Sequence, residues 1–206
     1  MSESVQTPMQ IVRHPVLQIA NFLPEPDVAF LLQTALALEP KYVPSAVSDA
    51  KEDYRKSLSM EAPAQVAELV SAKIRTAFPL IIQRLGLRAV TFGRIECQLT
   101  ANNDGSYFRI HTDAGHNNTV TRQLTFVYYF NHDPKGFEGG ELRIYDDQVR
   151  NNKLARIDSF QVVQPRHNSI VFFQAAVMHE VTPVHVPSKL FRDCRFTVNG
   201  WIHRAA

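Results

Sequence analysis

Apolar residues recur at helical spacing through much of the first 86 positions and alternate with polar ones afterwards, so pattern alone divides the chain. The run "PEPDVAFLLQTALALEP" sets Phe30, Leu31, Ala35 and Leu38 on one stripe and offers Asp27 as N-cap, which predicts a first helix. A second helix is predicted over roughly 62–85, where Val66, Leu69, Val70, Ile74 and Phe78 share a side and Gly86 supplies the stop. Pro79 is expected to kink or divide it. Residues 40–60 lose the period and are rich in polar side chains. They read as a long surface loop, functional or mobile by its length.

After Gly86, short runs between turn signals predict strands over 90–100, 107–113, 122–130, 140–146, 159–164, 168–174, 179–185 and 194–203. "NHDPKGFEGG" and "DDQVRNNK" are the clearest turns. The predicted fold class is α+β and mainly β. A sandwich or jelly roll over residues 89–206 would be covered by the helical region of 1–88, all within one domain of 1–206.

Composition narrows the function. Hydrophobic content of 45%, charged content of 20% and a formal charge of +2 are those of an ordinary globular chain, with no electrostatic case for nucleic acid or an anionic membrane. No run approaches the ~20 apolar residues needed to span a bilayer. The start "MSESVQTPMQIVRHP" lacks the basic and apolar parts of a secretory signal. Cys97 and Cys194 form no CxxC pattern, so neither a disulfide framework nor a thiolate zinc site is expected. A reducing, cytoplasmic compartment follows.

The chemistry begins at "YFRIHTDAG". A strand alternates faces with period two, so His111 and Asp113 point the same way. If that way is inward, the carboxylate needs a partner. His179 opens another predicted strand in "VFFQAAVMHEV". Two histidines and a carboxylate form the facial triad of non-haem Fe(II) sites, which leaves positions open for other ligands. On these residues alone the bland alternatives stay open, because HxD arises often by chance and a single histidine is more often a core or surface residue.

The strand "CRFTVNGWIH" adds weight. Its parity puts Arg195, Thr197, Asn199 and Trp201 on one face, and Phe196, Val198 and Ile202 on the other. The first face is either the solvent side of an edge strand or the wall of a polar cavity that holds an anion, for which arginine is suited. Thr125, Val127 and Tyr129 share a similar mixed face, and an inward tyrosine hydroxyl needs a partner.

The order HxD, "YYFN", "GGELRIY", "NSIVFFQAAVMHEVTPV" and "RFTVNGW" resembles the Fe(II)/2-oxoglutarate-dependent dioxygenases. More narrowly, it is similar to the prolyl-4-hydroxylase branch that includes the hypoxia-factor prolyl hydroxylases and their microbial relatives. The resemblance covers roughly residues 92–204 and implies a double-stranded β-helix. It implies His111, Asp113 and His179 as iron ligands, with Arg195 and Tyr129 on the distal carboxylate of 2-oxoglutarate. Leu142 would pack on that cosubstrate, Asn199 and Trp201 would line its pocket, and Arg122 would stand near the substrate entrance. The implied cofactors are Fe(II), 2-oxoglutarate and O2, with ascorbate as a stimulant. The implied reaction hydroxylates a prolyl residue of a peptide or protein and releases succinate and CO2.

Two departures stand out. Asn102 occupies a position where many relatives have a tyrosine, which bears on the prime substrate. The link "EVTPVHVPSKLFRDC" is longer than in the closest comparison, which makes Arg192 a rival to Arg195. Two other readings remain in play. One keeps the chemistry on a free amino acid or small molecule and predicts one further fixed charge in the pocket. The other is a non-catalytic cupin-like metal module, against which Asp113 counts. His14, His116, His132, His167, His185 and His203 are expected at the surface, with His116 and Asp104 near the mouth.

Overall fold

Strands whose alternate side chains suit two different surroundings build the centre of this protein. The computed structural model describes residues 10–45, 54–88, 90–115, 119–150 and 153–205. The chain runs through β1 (Ile11–Val12) and β2 (Leu17–Ala20) into α1 (Glu25–Ala37). It continues through β3 (Val43–Pro44), β4 (Arg55–Lys56) and β5 (Leu58–Glu61) to α2 (Ala64–Leu85). Then come β6 (Ile95–Asn102), β7 (Tyr107–His111), β8 (Arg122–Phe130), β9 (Glu138–Gly139) and β10 (Leu142–Arg150). The last strands are β11 (Lys153–Val163), β12 (Ser169–Gln174), β13 (His179–Val181), β14 (Val184–His185) and β15 (Arg195–His203).

These strands form two antiparallel sheets of a double-stranded β-helix, with a small β9–β14 pair beside them. One sheet has the order β2-β12-β8-β15-β6-β5-β3. In the other, β7 lies between β4 and β13, and β13 pairs β10. β11 runs along the far edge of β10. Parity decides what each face meets. Leu124, Phe126, Tyr128 and Phe130 of β8 and Phe196, Val198 and Ile202 of β15 enter the core shared with the helices. The intervening Val127 and Tyr129 join a second cluster, with Leu142, Ile144, Val171 and Phe173, inside the barrel. The helices therefore cover one face of the larger sheet and leave the other for a site.

Gly200 is required by close approach. A Cβ there would lie 2.2 Å from both the Glu96 carbonyl oxygen and the Phe126 ring.

Several sequence expectations are corrected. α1 starts one turn earlier than an Asp27 cap requires: Pro24 holds the N-cap position, and the Asp27 amide donates to its carbonyl at 3.0 Å. Val28, Leu31 and Ala35 form its buried stripe, while Phe30 is 36% exposed. α2 passes through Pro79 without a break and ends on Gly86 at φ +63°. Pro79 is exposed, so its ring intrudes on no core packing. The expected loop at 40–60 contains β3 and β4 and the start of β5, with residues 46–53 outside the described residues. β5 pairs β6 of one sheet while β4 pairs β7 of the other, so this segment joins the sheets along one edge.

The segment "DDQVRNNK" is also mostly strand, since β10 extends to Arg150 and β11 resumes at Lys153. Its polar residues lie on an outer strand pair, which has no need of apolar alternation. Predicted 179–185 is divided into β13 and β14, and predicted 90–100 becomes β6 from Ile95. Among the described residues no helix is long and apolar enough to cross a membrane. Cys97 and Cys194 are free thiols.

Candidate metal centre and carboxylate pocket

The metal centre is built by two neighbouring strand ends. His179 starts β13 and pairs directly with His111 at the end of β7. Asp113 follows two residues later, where its amide donates to the Ala175 carbonyl at 2.9 Å. His111 Nε2 lies 3.6 Å from Asp113 Oδ1, and His179 Nε2 lies 3.3 Å from Asp113 Oδ2. One donor atom from each residue falls within 4.8 Å of the others. Both rings are pinned from behind. His111 Nδ1 donates to the Arg109 carbonyl at 2.7 Å, and His179 Nδ1 donates to the Val177 carbonyl at 2.9 Å. Carbonyls only accept, so each Nδ1 carries a proton and Nε2 is the nitrogen left to face a metal.

The electrostatics agree with that tautomer. Burial, reinforced by His179, pushes His111 down to about 3. For Asp113, burial pulls upward, but His179, His111 and the Thr125 hydroxyl more than offset it and hold the carboxyl well below its usual range. Thr125 Oγ1 donates to Asp113 Oδ2 at 2.7 Å, which orients the carboxylate. Phe108 stacks on His111 with centroids 3.5 Å apart, and Phe173 meets His179 edge-on. Thr125→Val keeps the shape and removes the donor, so divalent-metal affinity is expected to fall about 10- to 100-fold with the fold unchanged. A Mn(II) titration of the variant checks this, and an unchanged affinity would remove Thr125 from the site.

Deeper in the barrel, the face shared by Arg195, Thr197 and Asn199 meets Tyr129, the register partner of Thr197. Arg195 is 3% exposed, and its Cζ lies 4.9 Å from the centre of the Tyr129 ring. Burial lowers the Arg195 guanidinium from its ordinary value, with Tyr129 and Glu141 opposing. Arg195 Nε, Tyr129 Oη and Thr197 Oγ1 are all buried, and none makes a well-formed hydrogen bond among the described residues, although Arg195 and Tyr129 act on each other electrostatically. Unpaired buried donors are costly, and a carboxylate here would accept from all three. The donor set therefore fits the distal end of a 2-oxo diacid. Leu142 and Trp201 line the same cavity as the metal triad and Arg195, and Asn199 is held there by Thr100 at 3.0 Å. Asn102 also lines it, with its amide on the Arg195 carbonyl at 3.2 Å.

Arg192 lies elsewhere. It sits on the short helix Phe191–Asp193 with 68% of its side chain exposed. Arg122 is close to the centre without lining the cavity. It donates to Glu96 Oε2 through Nε at 3.2 Å and Nη2 at 2.7 Å, and to the Asp113 carbonyl through Nη1 at 3.2 Å. Its Cζ lies 3.6 Å from the centre of the Trp201 ring, so it braces a pocket wall and a metal-ligand backbone together.

The expectation of surface positions for the other histidines fails at His203, which is 1% exposed. It closes β15, with Nδ1 2.7 Å from Thr121 Oγ1 and Nε2 3.3 Å from Glu96. His14, His132 and His167 are half-buried. His14 pairs with Asp147 and His132 with Asp193, while His185 is exposed and pairs with Asp104. His116 lies outside the described residues.

One pocket residue escaped the sequence reading altogether. Arg55 of β4 faces the cavity, its Nε donating to Ser57 Oγ at 2.9 Å and its Nη2 to Gln98 Oε1 at 3.3 Å. Its Cζ lies 4.7 Å from the centre of the Phe108 ring. Burial, countered in part by Asp113, draws it down to about 10. The signal for it was the alternation in "RKSLSM": Leu58 and Met60 turn to the core while Ser57 and Ser59 are buried on the opposite face.

Comparison with known proteins agrees with this geometry. The 2OG-Fe(II) oxygenase superfamily model matches residues 97–203. An uncharacterized PKHD-type hydroxylase of Synechocystis sp. is 40% identical over 190 residues, covering 91% of this chain and 62% of that protein. The chain thus spans a little under two thirds of that curated relative. A Pseudomonas putida prolyl-4-hydroxylase superposes with TM-score 0.67 at 23% identity, over 94% of each chain. A Trichoplax adhaerens prolyl hydroxylase in complex with a hypoxia inducible factor peptide fragment gives TM-score 0.66 at 19% identity, over 93% of this chain and 84% of that one.

Proposed function

Because the chain belongs to the 2OG-Fe(II) oxygenase superfamily, we propose that it is an Fe(II)- and 2-oxoglutarate-dependent dioxygenase that hydroxylates prolyl residues of a peptide or protein. The observation that carries the oxygenase reading is the triad itself: three converging donor atoms, with both histidine tautomers set by backbone carbonyls. Hydroxylation is favoured by the PKHD-type hydroxylase relative, and prolyl residues by the prolyl hydroxylases among the fold neighbours.

In this reading His111, Asp113 and His179 hold the metal on one side and leave its other side to the cavity. Fe(II) and 2-oxoglutarate held there would supply the oxidising chemistry with O2 as the oxidant, one oxygen atom going to the hydroxylated C–H and the other to succinate, with CO2 released. The protein's own part is positional. Arg195, Tyr129 and Thr197 fix the distal carboxylate, Leu142 packs beside it, and Trp201, braced by Arg122, closes the wall next to the metal. Thr125 and the two carbonyls keep the ligands from turning. The free thiols suit a reducing cytoplasm, where we place the protein.

The test is anaerobic. Fe(II) and 2-oxoglutarate added to the purified chain are expected to give the visible charge-transfer band of a chelated iron–2-oxo acid complex, lost in His179→Ala. Iron binding without that band would reject the pocket assignment. A second reading keeps this chemistry and moves it to a free amino acid. Arg55 favours it, as a further fixed charge in the cavity.

A further inference from the structure

Two of the side chains lining the cavity, Arg55 and Arg195, are cations, whereas among the described residues that line it Asp113 is the only carboxylate. Under the proposed function, a divalent metal adds two positive charges and 2-oxoglutarate removes two. One positive charge is then left over, and an uncompensated charge in a partly dehydrated pocket is unfavourable. Arg195 has its carboxylate in the cosubstrate's distal end. The cosubstrate's other carboxylate would lie on the metal. Asp113 acts on Arg55 across the cavity but would be taken up by the metal, so among the described residues Arg55 is left as the cation without a counterpart.

The mounting of Arg55 suits recognition. Among the described residues it makes no ion pair, and the acceptors that hold it, Ser57 Oγ and Gln98 Oε1, are neutral. Ser57 is fixed in turn by Ser45, with the two Oγ atoms 2.8 Å apart. The guanidinium packs on Phe108, which itself stacks on the metal-side His111. These contacts orient the planar fork without neutralising it, leaving it able to take a carboxylate. Its backbone is anchored too, since Arg55 pairs with Phe108 in the sheet.

We propose that Arg55 is a second carboxylate seat of this pocket and that it receives an acidic group of the prime substrate. The substrate class is then a carboxylate-bearing one, such as a free amino acid or a peptide with an acidic residue beside the oxidised position. This rests on the oxygenase reading, and the experiment separates the two.

The full chain is loaded with Mn(II) and 2-oxoglutarate, so that ligands bind without turnover. Matched probes are then compared by the proton relaxation that Mn(II) induces: L-proline against L-prolinamide, and N-acetyl-Pro-Asp-amide against N-acetyl-Pro-Asn-amide. In at least one pair the carboxylate is expected to bind about tenfold or more tightly than the amide. Arg55→Gln is expected to bring that ratio close to one. The proposal is overturned if no pair discriminates, which requires no variant. It is also overturned if the preference survives in Arg55→Gln, or if Arg55→Gln weakens 2-oxoglutarate instead, which would give the seat to the cosubstrate. Binding of 2-oxoglutarate is measured in the same samples. Its absence in the wild type would reject the oxygenase reading, which no probe result alone can do.

Discussion

Asp113→Ala is expected to reduce 2-oxoglutarate turnover below about 1% of wild type while leaving the fold in place. Loss of a residue that only orients a metal ligand costs about 10- to 100-fold, so loss of a ligand itself lies beyond the upper end of that range. Asp113 is also the anionic member of the set and lies within 3.6 Å of both imidazoles. The fold survives because the backbone amide still reaches Ala175, and both histidines stay pinned to their carbonyls without the carboxylate. The variant's thermal midpoint is expected to match metal-free wild type within a few degrees. Wild type with metal at about 100 times its Kd gains about 2.7 kcal/mol, or about 5–10 °C for a chain of this size, and the variant gains none. Retained 2-oxoglutarate consumption would remove Asp113 from the ligand set.

The route from sequence to this centre ran through parity. Period two places Asp113 with His111, and it places Arg195, Thr197, Asn199 and Trp201 opposite Phe196, Val198 and Ile202. The structure keeps that division, with the second set packed on the helices. Parity is legible because the large sheet has two unlike faces, one covered by helices and one lining a cavity. It carries no information about the third dimension. Nothing in the local spacing shows that β13 pairs with β7, which is what sets His179 against His111. That step came from the order of motifs along the chain.

What stayed hidden lay on short edge strands. β3 and β4 span two residues each, too few to show a period, so the polar stretch around them resembled a loop. Arg55 gains its meaning from Phe108 and Gln98, more than 40 positions further on in each case. The hairpin of β10 and β11 was shortened in the sequence reading for a related reason. The outer strand β11 carries charge on its open side, so Arg156 and Asp158 imitate a turn, while Asp147 is half-buried against His14. His203 misled in the opposite sense: a polar residue near a chain end reads as exposed, yet Thr121 and Glu96 hold it inside.

The link between β14 and β15 bears on the second large effect. Its own contacts fix its course. The Val186 amide and His185 are held by Asp104, each at 3.0 Å, while Ser188 and His132 both reach Asp193. Phe191 is wedged between Tyr42 and Phe196, at centroid separations of 5.3 Å to each. Arg192 follows that wedge into solvent, and β15 begins with Arg195 already facing the barrel. The link therefore brings Arg195, and not Arg192, to the cavity. Arg195→Met, which keeps much of the volume, is expected to raise the 2-oxoglutarate requirement about a hundredfold or more. It removes a buried cation and leaves the Tyr129 hydroxyl as a weaker, neutral donor. Arg195→Lys should fall between, since it restores the charge without the planar fork. Arg192→Ala is expected to leave the requirement unchanged, because a largely exposed cation that does not line the cavity has nothing to lose. Steady-state titration of 2-oxoglutarate against succinate formation reads all three. If the Arg192 and Arg195 variants exchanged behaviour, the course assigned to the link would be wrong, and the distal carboxylate would have to lie at the end of the short helix instead of within the barrel.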